Sequence, residues 1–275
     1  MQLPYELYSQ GVADYKNLQS ASAGKCTIDA DHRTLTVVRN GVPVVLPLYS
    51  PAAFDAISRH WVRVGWSLGH YGRFKWMGLH VLQLPEDLLR LQEAIFRVQP
   101  DLIVETGICH GGSIVFLASL CKILNKGRVV GIDIHIMPQV RRALQSHPLG
   151  SWLTTIEGDS TSPQVIERVR NLRRQDDKVL VILDSAHDYA HVLKELEAYS
   201  SLVTLGSYLI AEDGIMYDLH DVPGGDPTWL VDNPASAVSV FLASHPEFIL
   251  ARPDAPADRG VEVTYWPAGW LRRVR

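Results

Sequence analysis

The stretch Pro100 to Ser113, PDLIVETGICHGGS, decides the fold. Leu102 to Val104 is a short, uninterrupted apolar run that Glu105 closes. Gly107, Gly111 and Gly112 then make a turn ahead of a helical stretch, Ser113 to Leu124. A strand without polar alternation is buried on both faces, as in a parallel sheet covered by helices. The arrangement recurs downstream in Val129 to Ile132, Leu153 to Ile156, Val179 to Leu183 and Tyr208 to Ala211. Segments of helical length and spacing separate these runs at Gln139 to Leu144, Pro163 to Leu172 and Tyr189 to Leu202. Such alternation predicts an α/β fold with a doubly wound, mostly parallel sheet. Upstream, Pro85-Glu86-Asp87 opens a helix with Leu88, Leu91, Ile95 and Val98 on one face, and Pro100 ends it. Two late runs, Phe248 to Ala251 and Val261 to Trp266, read as a closing antiparallel pair.

The first third has another character. Arg33 to Arg39 and Val42 to Leu48 are β-branched runs flanking Asn40-Gly41, a dipeptide suited to the positive φ angles of a hairpin turn. From Phe54 to Trp76 aromatics and glycines crowd together, and helical spacing fades after Leu68, which predicts a short helix followed by a loop over a site. Residues 1–80 are therefore expected to form a hairpin and an aromatic-rich capping or oligomerisation segment, and residues 81–275 the main domain.

The chain has 275 residues, 47% of them hydrophobic, enough for a sizeable core. Its 26 Lys and Arg against 30 Asp and Glu give a net charge of -4, so no bulk cationic field exists to hold nucleic acid or an anionic membrane. A small-molecule partner is the expectation. Three cysteines, Cys26, Cys109 and Cys121, without CxxC spacing argue against a disulfide scaffold or structural zinc. The opening MQLPYELYSQ lacks signal-peptide character, and no apolar run reaches membrane-spanning length, so a cytoplasmic protein is expected.

In a doubly wound sheet, ligands bind beyond the carboxyl ends of the strands. Those ends carry Glu105, Asp133, Gly158-Asp159-Ser160, Asp184 and Glu212-Asp213-Gly214. The glycine turn after the first run lets a ligand approach backbone amides closely, yet neither G-x-G-x-x-G nor a phosphate loop is present. Glu105 beside the turn would repel a polyphosphate. A cationic ligand without phosphate fits better, and S-adenosylmethionine, with its ammonium, sulfonium and ribose diol, is such a ligand. The cofactor set read from these ends is Glu105, Thr106, Gly107, Gly111, Ser113, Asp133, Asp159, Ser160 and Asp184. Asp133 and Asp159 are also good turn and cap residues, which is their plainer reading.

Asp184, Glu212 and Asp213 end two successive strands. If the strands are neighbours, three carboxylates converge, an arrangement reasonable when a divalent cation lies between them. Hard oxygen donors point to Mg²⁺. Adjacent residues of a flat strand point oppositely, so Glu212 and Asp213 can both serve only where the backbone bends, which Gly214 would ease. His187, three residues past Asp184, is placed to take a proton from a substrate hydroxyl. Its alternative is a cap on the helix beginning near Tyr189.

The motifs LDSAH and SYLIAED, with PDLIVETGICHGGS, KWMGLHVLQLPEDLLRLQE and AVSVFLASHPEF, resemble the cephalosporin hydroxylase/rhamnosyl O-methyltransferase family from about Trp76 to about Tyr265. The resemblance implies a class I S-adenosylmethionine-dependent methyltransferase sheet with a Mg²⁺ site. It places metal ligands at Asp184, Glu212 and Asp213, the base at His187, and cofactor contacts at Glu105, Gly107, Asp133 and the turn 158–160. His110 departs from the family's frequent tyrosine. Three carboxylates do not match the two-histidine, one-carboxylate set of a non-haem iron oxygenase, so oxygenation is disfavoured. The expected reaction is O-methylation of a deoxysugar hydroxyl on a macrolide or polyketide natural product. Walls for the aglycone would come from Trp61 to Trp76 and from Met216 to Trp229, with substrate contacts at His70, Tyr71, Asp218, His220 and Asp221. The rivals are a metal-dependent catechol or phenolic O-methyltransferase and a catalytically silent cofactor-binding partner; the intact acids and His187 disfavour the latter. By analogy with the family, a homo-oligomer is expected.

Overall fold

A computed structural model of the chain describes residues 25–39, 41–253 and 263–275. They fall into two compact units, one holding the described residues up to Gly65 together with Val263, the other those from Trp66 to 253 and from Thr264 to Arg275.

In the first unit, β1 (Cys26–Asp29), β2 (Thr34–Arg39) and β3 (Val42–Pro47) form an antiparallel sheet in that order. Arg39 pairs with Val42 across the hairpin, and Gly41 has φ +78°. Asn40, the other half of the expected turn, lies outside the described residues. Helix α1 (Pro51–Ser67) contributes Ala53 and Ala56 to a small core with Leu35 and Val37.

The second unit is built on a seven-stranded sheet. Its parallel strands are β6 (Leu102–Thr106), β7 (Val129–Asp133), β8 (Leu153–Glu157), β9 (Val179–Leu183) and β10 (Tyr208–Ala211). The intervening helices are α3 (Gly112–Leu124), α4 (Pro138–Ser146), α5 (Pro163–Leu172) and α6 (Tyr189–Tyr199), preceded by α2 (Pro85–Val98). Two further strands, β11 (Phe248–Leu250) and β12 (Trp270–Arg273), follow α7 (Pro234–Ser244) and give the order β11-β12-β10-β9-β6-β7-β8. Every residue of β6, β9 and β10 is buried, as their unbroken apolar runs require. The chain winds outward from β6 through β7 to β8, then returns to lay β9 on the other side of β6. The winding therefore reverses between β6 and β9, the place where such sheets open a crevice at their carboxyl ends.

The closing antiparallel strand differs from expectation. It is Trp270–Arg273, which pairs with both β10 and β11; of the run expected at Val261 to Trp266, residues 261–262 lie outside the described residues and 263–266 are not in a strand. Trp270 and Leu271 are buried there, whereas Thr264 and Tyr265 are drawn off by the buried carboxylate of Asp87: the Thr264 hydroxyl donates to Oδ1 and the Tyr265 amide to Oδ2 at 2.8 Å. The segment expected to be loop after Leu68 holds a short hairpin, β4 (Phe74–Trp76) with β5 (Leu79–Val81). No helix among the described residues is long and apolar enough to cross a membrane.

At the amino-terminal edge of the sheet, Arg128 gathers three connections. Its guanidinium donates to Asp177 Oδ2 at 2.5 Å, to the Leu172 carbonyl at 2.6 Å and to the Asp101 carbonyl at 2.9 Å. Asp177 is buried, so removing the guanidinium strands a carboxylate and two carbonyls. Arg128→Ala is expected to lower unfolding free energy by about 3 kcal/mol in urea titrations with an unchanged m-value. A loss below about 1 kcal/mol would show that the junction holds nothing.

Candidate active site

A cavity of about 370 Å³ opens at the carboxyl ends of β6, β9 and β10. Gly107 and Ser113 line it from the glycine turn, Asp184 and His187 from the end of β9, and Asp213 from the end of β10. The turn is held close by necessity. Gly107 has φ +88°, and a Cβ there would stand 1.8 Å from the Asp184 carbonyl oxygen. No other residue lets β6 and β9 end side by side. Behind it Thr106 is fully buried, and its carbonyl accepts the Asp184 amide at 3.0 Å.

The carboxylates occupy different depths. Glu105 is 1% exposed; burial pushes its pKa up to about 8, opposed by a hydrogen bond from Ser113. Glu212 is equally buried, and its Oε2 accepts from Gln83 Nε2 at 2.7 Å. Burial and the neighbouring charge of Asp184 raise Glu212, while burial and the charge of Asp213 raise Asp184. Asp213 stands nearer the solvent, with its Oδ2 3.3 Å from His187 Nε2. Burial raises Asp213 too, and His187 opposes that shift. Donor atoms of Asp184, His187 and Asp213 all lie within 4.8 Å of one another.

Consecutive acids converge here because Asp213 itself takes the left-handed conformation, φ 53° and ψ 25°. The bend is therefore at Asp213 and not at Gly214. Gly214 is needed for another reason: a Cβ there would meet the Pro267 carbonyl oxygen at 2.5 Å.

The other expected site residues divide. Asp133 accepts the Ile108 and Cys109 amides on Oδ2 at 2.9 and 3.0 Å, and the His135 amide on Oδ1, so it braces the glycine turn. Gly111 caps α3 in the left-handed conformation. Asp159 is exposed and accepts the Thr161 amide and hydroxyl. Ser160 is buried, with its carbonyl accepting from Tyr199. None of these four lines the cavity. Of the expected substrate contacts, Tyr71 lines it, whereas His70, Asp218, His220 and Asp221 do not. Asp218 is 4% exposed, the His70 ring stands edge-on to Phe74, and His220 Nδ1 is 2.7 Å from the Tyr217 carbonyl, so these side chains are committed locally.

Gln83 and Tyr265 line the cavity without having been expected from the sequence, whereas Trp66 and Trp229 lie in the two stretches expected as walls. Trp66 meets Trp229 edge-to-face at 5.5 Å, and Tyr71 meets Tyr265 at 6.3 Å, giving one side of the cavity an aromatic lining. The aromatic run in the first third signalled part of this wall. Nothing local signalled Tyr265, which Asp87 brings in from 178 residues away. Trp76, by contrast, packs on Phe116 and donates to Ser119 Oγ, a structural role.

The donor set fits a cation. Of seven buried side-chain polar atoms lacking a hydrogen-bond partner among the described residues, four belong here: Gln83 Oε1, Glu105 Oε2, Glu212 Oε1 and the Tyr265 hydroxyl. Buried orphan oxygens are costly, and a concentration of them beside clustered carboxylates suits positive charge.

The fold is the doubly wound sheet of the class I S-adenosylmethionine-dependent methyltransferases. A family model described as Rhamnosyl O-methyltransferase/CmcI matches residues 69–274. The chain belongs to the Rhamnosyl O-methyltransferase/CmcI family. A rhamnosyl O-methyltransferase of Mycobacterium leprae is 32% identical over 151 residues, covering 52% of this chain and 64% of that protein. The chain thus spans just under two thirds of that relative. One from Mycobacterium tuberculosis is 27% identical over 214 residues, covering 74% and 82%. Among solved structures, CmcI with Mg and SAM superposes with TM-score 0.52 at 24% identity over 74% of this chain and 78% of that one. Apo CmcI gives 0.53 at 23% identity over 74% and 77%.

Glu105 carries a consequence for stability. Folded, it holds its proton up to about pH 8; unfolded, it ionises near 4.5. The folded state binds the extra proton between those values, so the contribution is complete below pH 4.5 and is lost as pH rises toward 8. In urea titrations of the cation-free protein, Glu105→Gln is expected to flatten the fall in stability between about pH 5 and 8 by a few kcal/mol. An unchanged slope would contradict the assignment.

Proposed function

We propose that this chain transfers a methyl group from S-adenosylmethionine to a hydroxyl of a rhamnose-like deoxysugar on an apolar natural product, with Mg²⁺ held by Asp184, Glu212 and Asp213. The observation that carries this reading is the convergence of those three carboxylates and His187 beside an aromatic-walled cavity. It is supported by membership of a family described by rhamnosyl O-methylation and by the likeness to CmcI with Mg and SAM.

When bound, the cofactor supplies an electrophilic sulfonium methyl and the metal supplies a Lewis acid for vicinal acceptor oxygens. His187 Nε2 takes the acceptor hydroxyl's proton, and Asp213 Oδ2 at 3.3 Å stabilises the resulting imidazolium. Glu105 and the glycine turn hold the cationic cofactor, Glu105 through the oxygen left without a partner. Asp133 contributes by fixing that turn through the Ile108 and Cys109 amides. Trp66, Tyr71, Trp229 and Tyr265 present apolar faces to the sugar and aglycone and keep water from the reacting oxygen. The working form is taken to be a homo-oligomer, which light scattering decides.

Transfer of labelled methyl should occur with rhamnosylated macrolides and stop with EDTA or Asp184→Ala. His187→Ala should lower kcat by roughly 10²- to 10⁴-fold. Methylation of catechols in place of glycosides would overturn the acceptor class. Turnover that survives chelation and Asp184→Ala would overturn the metal assignment.

A further inference from the structure

Helix α6 places His191, Glu195 and Tyr199 at four-residue spacing, on one stripe. None of the three has a part in the reaction described above. All three reach the carboxyl ends of strands that cannot hydrogen-bond to each other, because β6 and β7 lie between β9 and β8. His191 Nε2 lies 3.2 Å from Ser160 Oγ, just after β8, and 3.1 Å from Ser185 Oγ, just after β9. It also lies 3.4 Å from Glu195 Oε1, which accepts the Ser185 hydroxyl at 2.8 Å. The Tyr199 hydroxyl donates to the Ser160 carbonyl at 2.7 Å.

The burial of this junction shows that it is built into the fold. Glu195 and Tyr199 are fully buried and Ser160 is 6% exposed. The hydrogen bond to Glu195 holds the His191 imidazole above the ordinary histidine range, which favours Nε2–H as the donor. With the Ser185 proton given to Glu195, the Ser185 oxygen accepts from that N–H. All these contacts gather at one ring nitrogen. An acid–imidazole–nucleophile relay uses both nitrogens, so the set is a junction and not a hydrolytic triad.

We propose that His191 is a positioning residue for the cofactor: it clamps the turn 158–160, which backs Asp133 and the glycine turn, to the strand end carrying Asp184 and Ser185. This rests on the methyltransferase reading. Ser185 lines the cavity, and the Gly158 amide donates to the carbonyl of Asp133, whose carboxylate holds the cavity-lining Ile108 and Cys109 amides, so loosening the link between Ser185 and the turn 158–160 raises the ordering cost of binding and leaves the reacting centre intact. Loss of the clamp should therefore appear in affinity and KM for the cofactor, with kcat spared.

The test is calorimetric titration of the full chain with S-adenosylhomocysteine, alongside steady-state kinetics. His191→Ala should weaken binding roughly tenfold, the size of effect seen when supporting hydrogen bonds are removed from a site. His191→Gln, whose amide can donate to two oxygens, should recover most of it, and kcat at saturating S-adenosylmethionine should stay within about twofold of wild type. Phe241→Leu, in the core of the same unit, serves as a control: it should lower Tm with binding unchanged. If His191→Ala does not fold, Tyr199→Phe decides, with about threefold weaker binding expected from the lost Ser160 contact. Wild-type affinity in His191→Ala or in that substitute, or equal weakening in Phe241→Leu, overturns the clamp. A wild-type chain that binds no S-adenosylhomocysteine overturns the methyltransferase reading instead.

Discussion

Like charges crowded out of water set the terms for the second unit. Glu105, Asp184, Glu212 and Asp213 end three neighbouring strands, and Glu105 and Glu212 are almost wholly buried. Two unit charges 4 Å apart repel by about 4 kcal/mol at an effective dielectric of 20, while a whole domain is stable by only about 5–15 kcal/mol. Four ionised carboxylates cannot coexist here unaided. Either they keep protons, as the upward shifts of all four indicate, or cations share the site with them.

Other features keep that edge together against its own repulsion. Gly107 lets β6 and β9 end in contact, and Thr106 ties them through the Asp184 amide. Asp133 pins the glycine turn, Gln83 holds Glu212, and Asp87 brings the segment carrying Tyr265 to the cavity. The left-handed conformation at Asp213 turns the last carboxylate inward. A strained non-glycine residue at a site of charge convergence is where such strain is useful, since it aims two consecutive side chains at one place.

Much of this was legible in the sequence. Unbroken apolar runs such as Val179 to Leu183 can only be strands buried on both faces, and an acid following each run marks the carboxyl edge. That reasoning located the sheet and the Asp184, His187 and Glu212-Asp213 group. It failed where tertiary contacts outweigh local pattern. Trp270–Arg273 carries two arginines and reads as polar, yet it is the closing strand because Trp270 and Leu271 fill the space against β10. His70, Asp218, His220 and Asp221 have the right chemistry in the right loops, but side-chain direction is set by partners that the sequence does not display. Gln83, Tyr265 and the His191 junction depend on residues brought together from distant positions, with no local signature.

The most direct measurement is of charge compensation itself. Thermal unfolding at pH 8 should be followed with and without millimolar Mg²⁺, in the wild-type chain and in Asp213→Asn. The account predicts a higher Tm with the ion in the wild-type chain, by the linkage of binding to stability, and little or no rise in the variant. An ion-independent Tm in the wild type, or an equal rise in both proteins, would contradict it.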